Sequence, residues 1–289
     1  MIDSHVHIGG EADGFEINEE IVLQSMKKYE IDISIVSNGD SAEYGENLVK
    51  LSEEKQIKQE DTLDRIIRFC RANSGKIYGA FWCKPNHELL TERIDEKIKM
   101  NRDIIVALKV HPFLSNLSFS DKKMIPYLDL ALKYNLPVIV HTANGIMDSP
   151  VRVYEMACRY PQLKFVMTHM GLGTDNKLAI DLMEKAENLF ADTTWVPIET
   201  TLEVIRRYGS RRVMFGSDNP LEVVGKDRLY YYIDWDRVER EYSWDCTTVE
   251  TNMNGNVLKY VNKIVKSIEP DIEVYEKEEH VQSVTRDII

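Results

Sequence analysis

The chain has 289 residues, of which 43% are hydrophobic and 29% are charged, a composition typical of globular proteins and not of disordered or fibrous ones. Its 36 Lys and Arg residues are outnumbered by 48 Asp and Glu residues, so the net charge is −12, which disfavours nucleic acid as a partner. Apolar runs such as residues 104–108 are far shorter than the roughly 20 residues of a membrane-spanning helix, so no membrane partner is expected.

Short apolar, β-branched runs alternate along the chain with longer segments of helical periodicity. Eight runs are predicted as buried strands: Ile2–Val6, Asp32–Ser37, Ile77–Trp82, Ile104–Val110, Pro137–Val140, Lys164–Thr168, Leu189–Asp192 and Arg212–Phe215. The predicted helices are Ile17–Glu30, Thr62–Ala72, Glu88–Met100, Met124–Tyr134, Val151–Arg159, Lys177–Ala186, Glu199–Tyr208 and Val249–Val261. Eight strands that are each followed by a helix predict an α/β fold of the (β/α)8 TIM-barrel type, in which chemistry takes place at the carboxyl ends of the strands.

We predict one barrel domain over residues 1–265 and a C-terminal extension over residues 266–289. The connection after the second strand is long, and residues 222–247 after the eighth strand form an extended loop rich in Tyr and Trp. Loops on this face usually shape the substrate pocket, although packing of an extra helix explains the aromatic residues equally well.

The cysteines and the N-terminus indicate the compartment. The four cysteines lie far apart without a C-x-x-C pair, so we expect buried free thiols and neither disulfides nor a thiolate zinc cluster. The first residues lack the features of a secretory signal, and a cytoplasmic protein is therefore expected. The sequence does not reveal the oligomeric state, but a homodimer is kept open because dimers are the commonest soluble oligomers.

Most histidines stand at or just beyond the carboxyl end of a predicted strand. These are His5, His7, His111, His141 and His169. Residues i and i+2 of a strand share a face, so His5 and His7 are predicted to point together into the barrel mouth, where they are spaced to bind one metal ion. An isolated H-x-H pair is weak evidence, but the fifth, sixth and eighth strands also deliver a ligand-type side chain at their ends. A divalent cation would keep the histidines neutral, and Asp218 supplies a carboxylate that could bind it and take a proton from bound water.

Further candidates surround this set. Lys109 and His111 stand two residues apart on the fourth strand, so both are predicted to face inward and to contact substrate. Two other roles remain for Lys109. In carbamylated form it could bridge two metal ions, or its charge could anchor the barrel core. The bridging role is disfavoured. Residues just past strand ends are candidate substrate contacts, with loop packing an equal alternative: Trp82, Lys84, Phe113, Asn144, Trp195 and Asn219.

Motifs at five strand ends carry a family resemblance. They occupy residues 2–9, 108–112, 136–142, 169–171 and 215–220, and together they resemble the amidohydrolase superfamily, in particular the amidohydrolase-2 group of metal-dependent TIM-barrel hydrolases and decarboxylases. The resemblance implies one divalent metal, zinc before manganese, held by the ligand set His5, His7, His141 and Asp218. It also implies that His169 polarises the substrate or orients the attacking water, or holds a second ion together with Lys109.

Three functions remain open at this point. The resemblance favours hydrolysis of a small ester, lactone or amide by metal-activated water, with Asp218 and His169 as catalytic residues. The alternative is non-oxidative decarboxylation of an aromatic or unsaturated carboxylic acid. Asn219 follows Asp218 where many members have an aromatic residue, which shifts the balance modestly towards hydrolysis. A non-catalytic ligand-binding barrel is the least favoured, because every expected ligand position is filled.

Overall fold

A computed structural model of the protein describes residues 2–12, 15–29, 31–45 and 47–218. Within these ranges eight strands form one parallel sheet in chain order. They are β1 Ile2–Ile8, β2 Ile33–Asn38, β3 Ile77–Trp82, β4 Ile105–Val110, β5 Val138–Ala143, β6 Phe165–Leu172, β7 Leu189–Asp192 and β8 Val213–Met214. The main helices that follow β1 to β7 are α1 Glu19–Tyr29, α2 Gln59–Ala72, α3 Glu92–Met100, α4 Ile125–Tyr134, α5 Pro150–Arg159, α6 Lys177–Lys185 and α7 Ile198–Tyr208.

The sheet closes on itself between β8 and β1. The backbone amide of Ser4 donates to the carbonyl of Phe215, and the amide of Asp218 donates to the carbonyl of His5, both at 2.9 Å. The Ser4 hydroxyl donates to the same Phe215 carbonyl at 2.7 Å. Because these bonds join the last strand to the first, the described residues confirm the predicted (β/α)8 barrel.

The inner face of the barrel has an apolar floor with a polar layer above it. The floor is a buried cluster with one residue from each of β2 to β7: Ile35, Ala80, Ala107, Ile139, Val166 and Phe190. Two residues further along β3, β4 and β5 stand Trp82, Lys109 and His141, which share the inward face because side chains alternate along a strand. The larger apolar core lies between the strands and the surrounding helices.

Several strands extend beyond the predicted ends. β1, β5 and β6 continue past their apolar runs, so His7, His141 and His169 lie within strands and not after them. The prediction ended each strand where the apolar residues end, but backbone pairing continues wherever the neighbouring strand offers partners. His7 pairs with Ser37 of β2, and His141 pairs with Thr168 of β6.

Other details differ from the sequence-based expectations. Residues Glu11–Ala12 and Phe15–Glu16 form a short antiparallel pair that was not predicted. Cys70 and Cys83 are buried free thiols as expected, whereas Cys158 is exposed. The predicted helix Val249–Val261, the aromatic loop 222–247 and the extension 266–289 lie outside the described residues. Among the residues that are described, no helix is long and apolar enough to cross a membrane.

Helix α2 packs closely on β3 because Gly79 has no side chain. A Cβ atom at this position would lie 2.4 Å from Cγ2 of Ile66 and 2.8 Å from Cδ1 of Ile105. We therefore expect Gly79→Ala to destabilise the protein by about 1–3 kcal/mol, measured by urea unfolding. In the double variant with Ile66→Ala the two costs should be clearly less than additive, because the smaller side chain makes room for the new methyl group. Additive costs would contradict this account of the packing.

Candidate metal centre and active site

Side chains from β1, β3, β4, β5 and β6, and from the segments just after β4, β7 and β8, meet at the mouth of the barrel. The structure brings together, through direct side-chain contacts, the predicted residues His5, His7, Trp82, Lys109, His111, His141, His169, Trp195 and Asp218. Most of these side chains are buried, and burial lowers the pKa of all five histidines. The imidazoles are therefore neutral at pH 7, the state in which they bind metals.

Asp218 is the centre of this cluster. Its Oδ1 atom lies 3.3 Å from Nε2 of His5 and 2.9 Å from Nε2 of His7, while its Oδ2 atom accepts the indole N–H of Trp195 at 3.0 Å. Burial acts to raise the pKa of Asp218, but His5 and His7 lower it well below its ordinary value. Asp218 is therefore an ionised carboxylate between two imidazoles.

The donor atoms fit a divalent cation. Ligand atoms of His5, His169 and Asp218 all lie within 4.8 Å of one another, and the His7 ring touches the same Asp218 oxygen. Two ligand atoms that are each about 2.0–2.2 Å from one ion lie roughly 3–3.5 Å apart, close to the separations of Asp218 from His5 and His7. Two nitrogen ligands and one carboxylate are a donor set typical of zinc and manganese sites.

Hydrogen bonds identify which ring nitrogen of two histidines carries the proton. Nδ1 of His5 lies 2.9 Å from Oδ2 of Asp192, and Nδ1 of His169 lies 3.2 Å from the carbonyl oxygen of Thr194. Carboxylates and carbonyls only accept hydrogen bonds, so both Nδ1 atoms donate. The Nε2 atoms of both rings therefore carry lone pairs.

His141, a predicted metal ligand, has a different neighbourhood. It is absent from the three-residue ligand group found among the described residues, and its Nε2 lies 3.9 Å from the buried carboxylate of Asp148. Its ring stacks on His111 with centroids 3.8 Å apart and an interplanar angle of 14°, and His111 stacks on Trp82 at 5.6 Å and 10°. These three nearly parallel rings form a stack. Its role as a ligand stays a prediction.

Lys109 approaches the ligand set directly. Its Nζ lies 2.7 Å from Nε2 of His5 and 5.9 Å from the centre of the Trp82 ring. The side chain is 1% exposed, and burial lowers its pKa to about 8, against the opposing effects of Asp218 and Asp192. At pH 7 the site therefore contains a buried ammonium beside His5.

Replacing Lys109 with Met should stabilise the fold at pH 7 while reducing activity. The fall of its pKa from 10.5 to about 8 corresponds to a folding cost of up to about 3 kcal/mol, fully present below pH 8 and lost as the pH rises towards 10.5. Urea unfolding at pH 7 and pH 10 measures this difference. We expect the variant's gain to shrink at the higher pH.

Lys84 provides the matched control for that experiment. Its ammonium donates to the Ile57 carbonyl at 2.5 Å and to Gln56 at 3.0 Å, and it lies 3.3 Å from Glu88. Lys84→Met leaves these acceptors without their donor, so it should lose stability. Equal losses in the Lys84 and Lys109 variants would contradict the interpretation of Lys109. The bonds of Lys84 also show that its ammonium is already bound by the protein, although it was predicted to contact substrate.

The remaining candidates are placed less centrally. Asn144 is exposed just after β5, and its backbone amide donates to Leu172. Phe113 lies in the short helix Pro112–Ser115 after β4 and is half-buried. Asn219 lies outside the described residues. Sequence reasoning missed Asp192, Thr194 and Ser37, whose partners are far away in the chain and which belong to no recognisable motif.

The backbone is strained around the site. His169, Met170, Trp195 and Asp218 all have positive φ angles, between 51° and 64°, a conformation that is unfavourable for residues other than glycine. Such strain persists only where surrounding contacts hold it, and it clusters at functional sites. Four such residues at one barrel mouth therefore support its assignment as the functional end.

Comparisons with known proteins agree with this geometry. The sequence profile of the amidohydrolase family (Amidohydro_2) matches residues 2–247. No curated protein matches the chain.

Solved structures share the fold at low identity. The 5-carboxyvanillate decarboxylase of Novosphingobium aromaticivorans, with bound manganese, has a TM-score of 0.59 and 12% identity over 88% of this chain and 93% of its own. The probable 2-pyrone-4,6-dicarboxylic acid hydrolase of Acinetobacter baumannii has a TM-score of 0.56 and 10% identity over 91% and 94%. The dihydroxybenzoic acid decarboxylase of a Polaromonas species, also with manganese, has a TM-score of 0.56 and 14% identity over 88% and 96%.

Proposed function

Because the chain belongs to the amidohydrolase family, whose metal-dependent members include hydrolases and decarboxylases, we propose that it hydrolyses a small ester, lactone or amide. The observation that carries the proposal is the ionised Asp218 carboxylate in contact with both His5 and His7. A carboxylate that both binds the metal and accepts a proton is suited to activating a water molecule for attack.

Each residue of the site has a specific task in this mechanism. His5, His7 and Asp218, with His141 as the predicted fourth ligand, would hold a divalent ion, which would supply Lewis acidity and lower the pKa of a water molecule towards about 7. Asp218 takes the proton of the attacking water and returns it to the leaving group. The Trp195 N–H keeps the carboxylate in one orientation by binding Oδ2.

His169 orients the water in this proposal and does not polarise the substrate. Burial lowers its pKa to about 4, so the ring is neutral, and its Nδ1–H is committed to the Thr194 carbonyl. The Nε2 lone pair accepts a hydrogen bond from water but cannot donate one to a carbonyl oxygen. Lys109 is the buried cation available to attract a substrate carboxylate.

The isotopic origin of the product oxygen tests hydrolysis. The protein would be loaded with zinc or manganese and incubated in oxygen-18 water with two kinds of probe, 2-pyrone carboxylates and hydroxylated benzoates. We expect a ring-opened product with one solvent oxygen and no carbon dioxide. Release of carbon dioxide without uptake of solvent oxygen would overturn the proposal.

Decarboxylation of an aromatic acid is the second candidate. The stacked rings of Trp82, His111 and His141 give the mouth an aromatic lining, and two structurally similar proteins are decarboxylases of substituted benzoic acids. Carbon dioxide release in the same assay would favour this function.

For the cofactor we propose one zinc ion, with manganese as the alternative because the two decarboxylase structures contain it. A second ion would have to be bound by Lys109 and His169.

A further inference from the structure

Asp192, the last residue of β7, belongs to none of the motifs recognised in the sequence, yet its side chain is buried and hydrogen-bonded. Asp192 is 1% exposed, and its carboxylate accepts four hydrogen bonds. Oδ1 accepts the backbone amides of His169 at 2.9 Å and Thr194 at 3.3 Å. Oδ2 accepts Nδ1–H of His5 at 2.9 Å and the Thr194 hydroxyl at 2.8 Å. One carboxylate thus connects a histidine of β1 with a histidine of β6.

The contact with His5 determines what that ring presents to the mouth. Since Asp192 accepts at Nδ1, the only lone pair of the neutral ring is on Nε2, which lies 3.3 Å from Asp218 and 2.7 Å from Lys109. In the opposite tautomer, Nε2 would carry a proton and could not bind a metal. Carboxylates that receive the far nitrogen of a ligand histidine tune metal sites in this way.

The contact with His169 acts on the backbone. His169 has a φ angle of 64°, and its amide donates to Asp192 while its ring donates to the Thr194 carbonyl. The backbone amide and the ring of His169 are therefore both hydrogen-bonded to residues at or just after the end of β7. These bonds offset the cost of the left-handed conformation, which is of order 1–3 kcal/mol.

Gly216, in the segment after β8, leaves room for this arrangement. A Cβ atom at Gly216 would lie 2.6 Å from Oγ1 of Thr194, 2.8 Å from Cβ of His5 and 3.1 Å from Oδ2 of Asp192. A side chain at Gly216 would therefore push these three groups apart. The packing of Gly216 and the hydrogen bonds of Asp192 require the same close approach.

We propose that Asp192 is a positioning residue that fixes His5 in the tautomer able to bind a metal through Nε2 and simultaneously holds His169 beside it. The inference rests on the proposed function, because it takes His5 as a metal ligand. Asp192 itself touches neither the ion nor the substrate in this assignment and acts through the two histidines.

The test is the tautomer of His5, read by nitrogen-15 NMR of histidine-labelled protein in the presence of chelator, with the signal assigned by loss in His5→Gln. The wild-type protein should show the proton on Nδ1. Because the Lys109 ammonium lies 2.7 Å from Nε2 of His5 and can only donate to it, Asp192→Asn is measured in the Lys109→Met background. There the amide oxygen should keep the backbone donors and the NH2 group should face His5, which moves the proton to Nε2. The affinity for zinc and manganese, measured by chelator competition, should then fall by about 10- to 100-fold.

Asp3 provides the matched control. It is also a buried carboxylate next to His5, but it accepts the His5 backbone amide at 3.2 Å, together with the amide and hydroxyl of Ser217, and contacts neither ring nitrogen. Asp3→Asn should leave the tautomer unchanged, and Thr194→Val should change the metal affinity by less than about threefold.

Three results would overturn the inference: a wild-type His5 protonated on Nε2, an unchanged tautomer when Asp192→Asn is combined with Lys109→Met, or the same tautomer change when Asp3→Asn is combined with Lys109→Met. The wild-type measurement requires only the assignment variant His5→Gln to fold. If wild-type protein bound no metal, the proposed function would fail, while the tautomer measurements would still decide the contribution of Asp192.

Discussion

Asp218→Asn should reduce kcat by about 10²–10⁴-fold while the protein remains folded. The amide cannot take the proton of the attacking water, and general base catalysis contributes about 10²–10⁴-fold. The substitution also removes the negative charge next to His5 and His7, so we expect weaker metal binding. The rate must therefore be measured with the metal in excess, using the substrate found by the isotope assay.

Trp195→Phe is the control for Asp218. It removes the N–H donor to Oδ2 and part of the ring but keeps the carboxylate, so the loss in kcat should be closer to tenfold. A fully loaded Asp218→Asn protein that retained more than a tenth of the activity would contradict the role of Asp218 as proton acceptor.

His5→Ala should have the largest combined effect on metal binding and stability. Loss of one ligand should lower the metal affinity by at least about 100-fold, because a structural zinc site of four ligands is worth about 10–16 kcal/mol. The substitution also deprives the buried Asp192 carboxylate of a donor and leaves a cavity. We therefore expect a loss of about 2–4 kcal/mol in the free energy of unfolding.

His7→Ala separates the effect on metal affinity from the effect on the free energy of unfolding. Its Nδ1 is bonded to the neutral hydroxyl of Ser37 at 2.8 Å, and the side chain is 14% exposed. Its removal should lower the metal affinity to a similar degree but cost less stability. Chelator competition and urea unfolding in chelator measure the two quantities. Equal stability losses in both variants would contradict the importance of the contact between His5 and Asp192.

The barrel could be predicted because each of its strands and helices is recognisable from a short stretch of sequence. Each strand is an apolar run of the length that a buried parallel strand requires, and each is followed by helical periodicity. The ends of β1, β5 and β6 were not predictable in the same way, because backbone pairing carries them through polar residues. His141 and His169 therefore lie within strands, although the apolar pattern ends before them.

The site was only partly predictable from the sequence. Lys84 and Lys109 both belong to the predicted mouth, but Lys109 lies within β4 and faces inward, whereas Lys84 follows the end of β3 and bonds with the next connection. Asp192 was counted only as a strand end, since its partner His5 lies 187 residues away. Contacts such as this one form only when the barrel closes, so no local sequence pattern predicts them.

Metal stoichiometry per chain tests the central claim most directly. The protein would be purified without chelator, analysed for its elements, and analysed again after zinc or manganese supplementation, with His5→Ala treated in parallel. We predict close to one divalent ion per wild-type chain and a marked loss in the variant. Wild-type protein with no bound metal under any of these conditions would contradict the account.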